Sequence, residues 1–232
     1  DRLQTTETLR RRFVSDASHE LKTPLAAIRL LTDSILQTDQ MDMETVRDFV
    51  TDIGSEAERL SRITEDLLRL TRLDSDLLDA PETVEVAPVL EQVMRMMSLL
   101  AQEKGTELTY RMEENCRVSA TKGEVHQVIY NLTDNAVKYS GKNGKVRVEL
   151  RHEDHDVVLT VADNGPGIPE EDLPKVFERF YRADASRGEK SGFGLGLAIA
   201  DTIAWEHKGA LKAESDAAST RFTFTIPLRK QA

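Results

Sequence analysis

Two long runs of apolar residues at helical spacing, separated by a short polar break, constrain the fold of this chain more than any other feature. In the first run, at 9–37, apolar residues recur every three or four positions, which predicts an amphipathic helix with one apolar stripe. A second run with the same spacing extends from Val46 to Leu73. Because the polar break at 38–42 is short, the two helices are predicted to form an antiparallel hairpin.

A single hairpin of this kind has nothing to cover its apolar stripe. Two hairpins packed together bury both stripes in a four-helix bundle, so the sequence predicts a homodimer. The stretch at 79–82, which contains Pro81, is interpreted as a linker. It places a hairpin domain at 1–78 and a second domain at 83–232.

In the second domain, short alternating runs of apolar residues predict strands, and longer periodic runs predict helices. Their order predicts an α+β fold in which one sheet lies under a layer of helices, an α/β sandwich. The predicted strands are 84–86, 107–112, 117–120, 145–150, 157–161, 210–214 and 220–226, and the predicted helices are 87–104, 124–139 and 194–207.

The composition argues against some classes of function. A net charge of −10 argues against a nucleic-acid-binding surface, which needs clustered Lys and Arg. A single cysteine, Cys116, excludes an intrachain disulfide and favours a reducing compartment. No window of about 18 apolar residues is present, so no segment is predicted to span a membrane. Because the chain begins at Asp1 inside a helical pattern, we expect it to be a piece of a longer protein.

The first chemical motif is the segment 18–24, with the sequence SHELKTP. At about 100° per residue, His19 lies about 200° from the apolar stripe, so its imidazole is predicted to face solvent with Thr23 one turn further on. Glu20 can orient the imidazole and accept its proton. Pro24 has no N–H, which predicts a bend in the helix at this point. An exposed histidine is most often an ordinary surface residue, but a neutral imidazole is also a nucleophile.

Asn131, Asn135 and Lys138 are four and three residues apart, so they share one face of the predicted helix at 124–139. Amide oxygens of Asn suit a hard cation such as Mg²⁺, and Lys suits a phosphate group. The alternative is that all three are ordinary polar residues on a helix surface.

Two glycine-containing segments complete the set of motifs. Asp163 follows the predicted strand at 157–161, and Gly165 and Gly167 come directly after it. A carboxylate there can accept a hydrogen bond from an exocyclic amine such as that of adenine, and the glycines permit positive φ angles and close backbone approach. The second segment, 192–197, places glycines at the start of a predicted helix, where free N–H groups suit phosphates. Both patterns also occur in ordinary turns, and the second matches neither a dinucleotide-binding fold nor a P-loop.

In their order and spacing, these motifs resemble the catalytic core of the sensor histidine kinases of two-component systems, over nearly the whole chain. The resemblance implies that the first domain serves dimerisation and histidine phosphotransfer, and that the second is an ATP-binding domain of the Bergerat type. It implies that His19 accepts the phosphoryl group and that Glu20 is the base that activates it. It also implies that Thr23 positions a water that dephosphorylates a response regulator.

The same resemblance implies ATP and Mg²⁺ as cofactors, with Asn135 as the metal ligand. The partners that it implies are a second copy of the chain and a response regulator, with no nucleic acid. It further implies a cytoplasmic fragment of a parent protein anchored in the membrane through a missing N-terminal sensor region. The residues expected around the nucleotide are Asn131, Asn135, Lys138, Tyr139, Asp163, Gly165, Gly167, Arg182, Gly192, Gly194, Leu195, Gly196 and Thr220.

The chain departs from the family pattern at three places. Thr121 stands where an acidic residue is usual, Lys208 interrupts the usual His-Gly-Gly turn, and Ala217 and Ala218 replace a common glycine. None of these changes removes an expected ligand, so kinase activity is expected. Two alternatives stay open: a degenerate dimeric scaffold without catalysis, and an ATP-driven conformational clamp, which would not need the motif around His19.

Overall fold

The structure, a computed structural model, describes residues 2–38, 40–73, 80–141, 143–181 and 194–229. The chain divides into two compact units, Asp1–Asp74 and Ser75–Ala232. No helix in these described ranges is both long enough and apolar enough to span a membrane.

The first unit is the predicted helical hairpin, which is confirmed. Its two helices, α1 (Arg2–Gln37) and α2 (Met43–Leu73), pack against each other. Helix α1 begins well before the predicted start at residue 9, because the preceding residues include neither Gly nor Pro to end it. Helix α2 is capped by Asp42, whose carboxylate accepts hydrogen bonds from the backbone N–H of Thr45 at 2.8 Å and from its hydroxyl at 2.7 Å.

One copy of the hairpin leaves much of its apolar surface uncovered. Among the described side chains of this unit, Ala17, Pro24 and Ile63 are buried. In contrast, Leu30 on α1 is 68% exposed and Val50 on α2 is 56% exposed. Exposed apolar surface of this kind is expected of a hairpin that packs against another apolar surface.

The second unit is the predicted α/β sandwich, which is also confirmed. Helices cover one face of its main sheet, and a short 3₁₀ turn at Leu173–Lys175 was not predicted. The elements are β1 (Glu82–Glu85), α3 (Val86–Glu103), β2 (Glu107–Met112), β3 (Arg117–Ala120), α4 (Lys122–Tyr139), β4 (Lys145–Glu153), β5 (Asp156–Asp163), α5 (Gly196–Glu206), β6 (Ala210–Asp216) and β7 (Ser219–Pro227).

The strands form two sheets rather than the single sheet expected. Five strands pair in the order β2-β4-β5-β7-β6, and β1 pairs with β3 in a separate two-stranded sheet. Strands β2 and β4 are parallel because β3 and α4 lie between them in the chain and provide the crossover connection. The other neighbours in the main sheet are antiparallel.

Helix α4 packs on the sheet through the apolar stripe predicted for it. Its first turn carries a capping box, in which the Thr121 hydroxyl accepts from the Glu124 N–H at 3.2 Å and the Glu124 carboxylate accepts from the Thr121 N–H at 2.7 Å. Thr121 is therefore the N-cap of this helix. The buried stripe consists of Val125, Val128, Ile129, Leu132 and Ala136.

Two element boundaries differ from the predictions for local reasons. Helix α5 begins at Gly196 instead of Gly194, because Gly194 has a φ of +68°, which a right-handed helix does not allow. Strands β4 and β5 extend into the polar segment predicted as a turn, since Glu153 still pairs with Asp156. The connection is a two-residue hairpin turn in which Asp154 has a φ of 48°.

Candidate active site

His19 lies on the solvent-exposed face of α1, as predicted. No hydrogen-bond or ion-pair partner of its imidazole is found among the residues that the structure describes. Thr23, one turn further on, is also exposed, and its hydroxyl donates to the backbone carbonyl of His19 at 3.3 Å. Glu20 is half-buried, while Pro24 lies inside the helix and is buried. The imidazole is therefore accessible to a reaction partner.

Asn131 ties α4 to the start of α5. Its amide nitrogen donates to the carbonyl of Gly196 at 2.9 Å, and its amide oxygen accepts from the side-chain nitrogen of Gln127 at 2.8 Å. Gln127 is only 7% exposed and Asn131 is half-buried, so the contact is partly shielded from water. Because both ends of the Asn131 amide are occupied, this residue acts as a clamp between the two helices.

Asn135 and Lys138 lie on the same side of α4 but differ in their partners. The ammonium group of Lys138 pairs with the carboxylate of Asp134. The amide of Asn135 is half-buried and has no hydrogen-bond partner among the described residues. Tyr139, at the end of the helix, is 37% exposed.

The donor set on this helix fits a magnesium ion carried by a nucleotide better than a metal held by the protein alone. Within the described residues, no group of three or more His, Cys, Asp or Glu side chains is placed to hold a metal. Mg²⁺ usually takes one or two protein oxygens and completes its shell with water and phosphate oxygens. The amide oxygen of Asn135, which has no partner in the part of the chain that the structure describes, meets that requirement.

Asp163 lies at the end of β5 and is only 7% exposed. Burial raises the pKa of this carboxyl above its ordinary value, against the opposing effect of a hydrogen bond from the Gly165 N–H, which is 2.8 Å from Oδ1. A Cβ atom on Gly165 would come within 2.5 Å of the Tyr139 carbonyl oxygen. The turn after Asp163 therefore packs against the end of α4 at a distance that only glycine allows.

The same turn also packs against the hairpin between β6 and β7. Gly167 has a φ of +75°, and a Cβ atom there would come within 1.7 Å of the Asp216 carbonyl oxygen. The next residue, Ile168, donates its N–H to the Ser215 hydroxyl at 2.8 Å. Thr220 on β7 pairs in register with Asp163 and is only 6% exposed. The structure therefore places Asp163, Gly165, Gly167 and Thr220 together.

Two residues at this site were not among those predicted, Ser215 and Gln127. Ser215 gave no signal because its importance depends on the register between β6 and β7, which a single sequence does not show. Gln127 precedes Asn131 by one helical turn, and this spacing could have indicated that the two side chains form a hydrogen bond.

The glycine segment before α5 is only partly within the described residues. The N–H of Phe180 donates to the carbonyl of Gly194 at 3.0 Å, which holds Phe180 close to the start of α5. Leu195 is fully buried, so its side chain anchors the start of α5. Phe177 packs edge-on against Phe222 at 6.4 Å between ring centroids. Arg182 and Gly192, also predicted to contact the nucleotide, lie outside the described residues.

Comparison with known proteins matches both units. Residues 9–76 match the family model of the His Kinase A (phospho-acceptor) domain. Residues 120–230 match that of the histidine kinase-, DNA gyrase B- and HSP90-like ATPases.

Individual relatives match over almost the whole chain. The chain is 38% identical over 230 residues to the probable sensor histidine kinase TcrY of Mycobacterium tuberculosis, covering 97% of this chain and 47% of that protein. It is 31% identical over 227 residues to the sensor histidine kinase WalK of Bacillus subtilis, covering 96% and 37% respectively. The chain thus spans half or less of the length of these relatives.

A solved structure shares the fold. The full-length ShkA structure in complex with AMPPNP superposes with a TM-score of 0.70 at 28% identity, covering 97% of this chain and 46% of that one. The two family models and these similar proteins together match the chain from helix α1, which carries His19, to the last strand, β7. The chain belongs to the two-component sensor histidine kinases, of which it forms a catalytic core.

Proposed function

We propose that this chain, as a homodimer, transfers the γ-phosphoryl group of ATP to His19 and then passes it to an aspartate of a separate response regulator. The observation that carries the proposal is the exposed imidazole of His19, which has no partner among the described residues and lies beside Glu20. The uncovered apolar side chains of the hairpin, such as Leu30, support the dimer.

The second unit supplies a suitable place for the nucleotide. Asp163 is a buried acceptor for the exocyclic amine of adenine, and the glycine turn beside it packs closely against the end of α4 and the β6–β7 hairpin, which fixes the position of this acceptor. Asn135 would hold Mg²⁺, which would neutralise charge on the phosphates. Lys138, Tyr139 and the glycines before α5 are proposed to surround the phosphates. The ShkA structure, solved in complex with the ATP analogue AMPPNP, supports ATP as the nucleotide.

The proposed first step is an in-line attack by an imidazole nitrogen of His19 on the γ-phosphorus. The new N–P bond forms as the bond to the bridging oxygen breaks, and ADP leaves with the electron pair. Glu20 accepts the proton from the other ring nitrogen. In the second step a carboxylate oxygen of the regulator attacks the same phosphorus, and the N–P bond breaks as the imidazole leaves and takes its ring proton back from Glu20. Most of the rate acceleration would come from positioning and charge neutralisation.

A second proposed activity is the dephosphorylation of the regulator with the help of Thr23. The Thr23 hydroxyl donates its only proton to the His19 carbonyl. Its lone pairs are left to accept a hydrogen bond from a water molecule near His19. A water oriented in this way can attack the phosphorus of the acyl phosphate, so that the bond to the aspartate oxygen breaks and inorganic phosphate and the free carboxylate are released.

The proposal is tested by incubating the chain with Mg²⁺ and radiolabelled ATP and following acid-labile phosphate on the protein. We expect His19→Gln to abolish labelling while ATP binding, measured separately, is retained. His152→Gln removes another exposed histidine and should label like the wild type. Undiminished labelling of the His19→Gln chain would contradict the proposal. ATP binding with no phosphate on any histidine would favour the scaffold or the ATP-driven clamp.

A further inference from the structure

Three polar side chains lie in a row across the main sheet, on the face that the helices cover. Asp163 on β5 pairs with Thr220 on β7, and Thr220 pairs with Ser215 on β6. Directly opposed residues of antiparallel strands have their Cβ atoms about 4.5–5.5 Å apart. Asp163 and Thr220 are 7% and 6% exposed, so each needs defined hydrogen-bond partners.

The hydrogen bonds of Ser215 determine where its single proton goes. Its hydroxyl oxygen accepts from the Ile168 N–H at 2.8 Å. It lies 2.8 Å from the carbonyl oxygen of Ser219, with a second carbonyl, that of Asp216, at 3.5 Å. A carbonyl oxygen can only accept, so the Ser215 proton is donated there.

Thr220 must therefore be the donor in its own contact with Ser215. The two hydroxyl oxygens are 3.0 Å apart, and one proton must lie between them. Because the Ser215 proton is used on the Ser219 carbonyl, the Thr220 proton fills this position. The remaining hydrogen-bonding capacity of Thr220 consists only of acceptor lone pairs.

We propose that Ser215 is a positioning residue that determines base specificity by holding Thr220 as a hydrogen-bond acceptor. The inference rests on the proposed ATP site. With Thr220 and Asp163 both accepting, the proposed base site favours a purine with a 6-amino group. In a purine with a 6-keto oxygen, that oxygen is an acceptor and would face the acceptors of Asp163 and Thr220. These buried groups would then have no donor, which weakens binding.

The contact with Ile168 gives Ser215 a second connection to the same site. Through it, the hairpin between β6 and β7 supports the glycine turn that follows Asp163. A change at Ser215 can therefore loosen the turn as well as release Thr220. A test of specificity must separate these two effects.

The test compares the binding of Mg-ATP and Mg-ITP to the whole chain by titration calorimetry. ITP has the same ribose and triphosphate as ATP but carries a 6-keto oxygen in place of the amine. We expect the wild type to prefer ATP, and Ser215→Ala to reduce the ATP/ITP preference by about tenfold, since the Thr220 hydroxyl can then rotate and donate. Loosening of the turn alone would weaken both nucleotides equally and leave the ratio unchanged, which would overturn the inference.

Two further variants show whether the effect passes through Thr220. In a Thr220→Val background, Ser215→Ala should change the ATP/ITP ratio no further, and an additional change there would contradict the inference. Thr225→Ala is the matched control, because Thr225 also links β7 to β6, donating to the Ala210 carbonyl at 3.2 Å at the other end of the hairpin. It should keep the wild-type ratio, and an equal loss in Thr225→Ala would overturn the inference.

The outcomes also separate this inference from the proposed function. A wild-type chain that binds neither nucleotide would overturn both. A wild-type chain that prefers ATP, with an unchanged ratio in folded Ser215→Ala, would overturn the inference alone. If Ser215→Ala does not fold, Ser215→Cys carries the same test, because a thiol has a similar shape but is a weaker donor and acceptor.

Discussion

The imidazole Nε2 of His207 lies 3.3 Å from Oε1 of Glu124, joining the residue after α5 to the first turn of α4. Both side chains are largely buried, at 15% and 10% exposed. The other oxygen of the Glu124 carboxylate accepts from the Thr121 N–H in the capping box. One carboxylate therefore holds the start of α4 and the end of α5 together.

This pair predicts a pH dependence of stability. The Glu124 carboxylate raises the pKa of His207 above its ordinary value against the opposing effect of burial, and Glu206 and the Ser119 carbonyl add in the same direction. A histidine whose pKa is raised on folding contributes stability that is present below its unfolded pKa of about 6.5. That contribution is lost as the pH rises through the higher folded pKa. We therefore expect the free energy of unfolding to decrease above about pH 6.5 more steeply in the wild type than in His207→Gln.

Urea unfolding at a series of pH values measures this difference. His152→Gln is the control, because the pair between His152 and Glu113 is longer, at 3.8 Å, and about half exposed at both ends. It should keep the wild-type dependence on pH. Parallel curves for the wild type and His207→Gln would show that the buried pair does not titrate as expected.

Asn131 and Asn135 are predicted to have separable roles although they are one helical turn apart. Asn131→Ala removes the clamp between α4 and the Gly196 carbonyl, so we expect a loss of about 1 kcal/mol in the free energy of unfolding. Asn135→Ala removes an amide without a partner among the described residues and should change stability little. It should instead weaken nucleotide binding in the presence of Mg²⁺ but not in EDTA.

Denaturant unfolding and nucleotide titrations with and without Mg²⁺ give the two readouts. Gln102→Ala, an exposed amide on α3, serves as the control and should alter neither. If Asn135→Ala reduces binding equally in EDTA, the amide contacts the nucleotide directly and the metal assignment is wrong.

Gly167 and Gly141 allow backbone strain to be separated from steric conflict. Both have a φ of +75°, so an alanine at either position has the same unfavourable backbone angle, which costs about 1–2 kcal/mol. A Cβ atom on Gly141 has no atom within 4 Å, whereas one on Gly167 would lie 1.7 Å from the Asp216 carbonyl oxygen. We expect Gly167→Ala to lose clearly more stability than Gly141→Ala and also to lose nucleotide binding.

Thermal unfolding and ATP titration of the two alanine variants check this prediction. Gly141→Ala should bind ATP like the wild type despite its lower stability. Equal losses of stability in both variants, with binding retained, would mean that the turn can move away from the β6–β7 hairpin at little cost.

Local patterns in the sequence predicted the elements, while pairings between distant strands had to come from the structure. The stripe on α4 was predictable because its residues recur at helical spacing, and each of them is buried. The parallel pairing of β2 with β4 could not be predicted from the sequence, since it depends on where the crossover connection returns to the sheet. The clustering of Asp163 with the glycines was predictable from adjacency in the chain. The contact of Ser215 with Ile168 joins residues 47 positions apart and left no local signal.

Thr23 is predicted to affect the removal of phosphate from the regulator more than its addition to His19. Its hydroxyl lies one turn from His19 on the same exposed face and keeps its lone pairs for a water molecule. Thr23→Ala should therefore retain autophosphorylation while the dephosphorylation of the regulator slows by about tenfold or more. The measurement follows label on the chain and on its regulator, identified by phosphotransfer profiling.

Thr32→Ala is the matched control, because the Thr32 hydroxyl makes the same kind of bond further along α1, donating to the Ile28 carbonyl at 2.7 Å. Both substitutions remove one exposed hydroxyl that bonds to the carbonyl four residues earlier, so their effects on the helix itself should match. Thr32→Ala is expected to leave both activities at wild-type rates. If Thr23→Ala instead lowers phosphorylation of His19 and dephosphorylation of the regulator together, Thr23 supports the shape of the helix around His19 and orients no water.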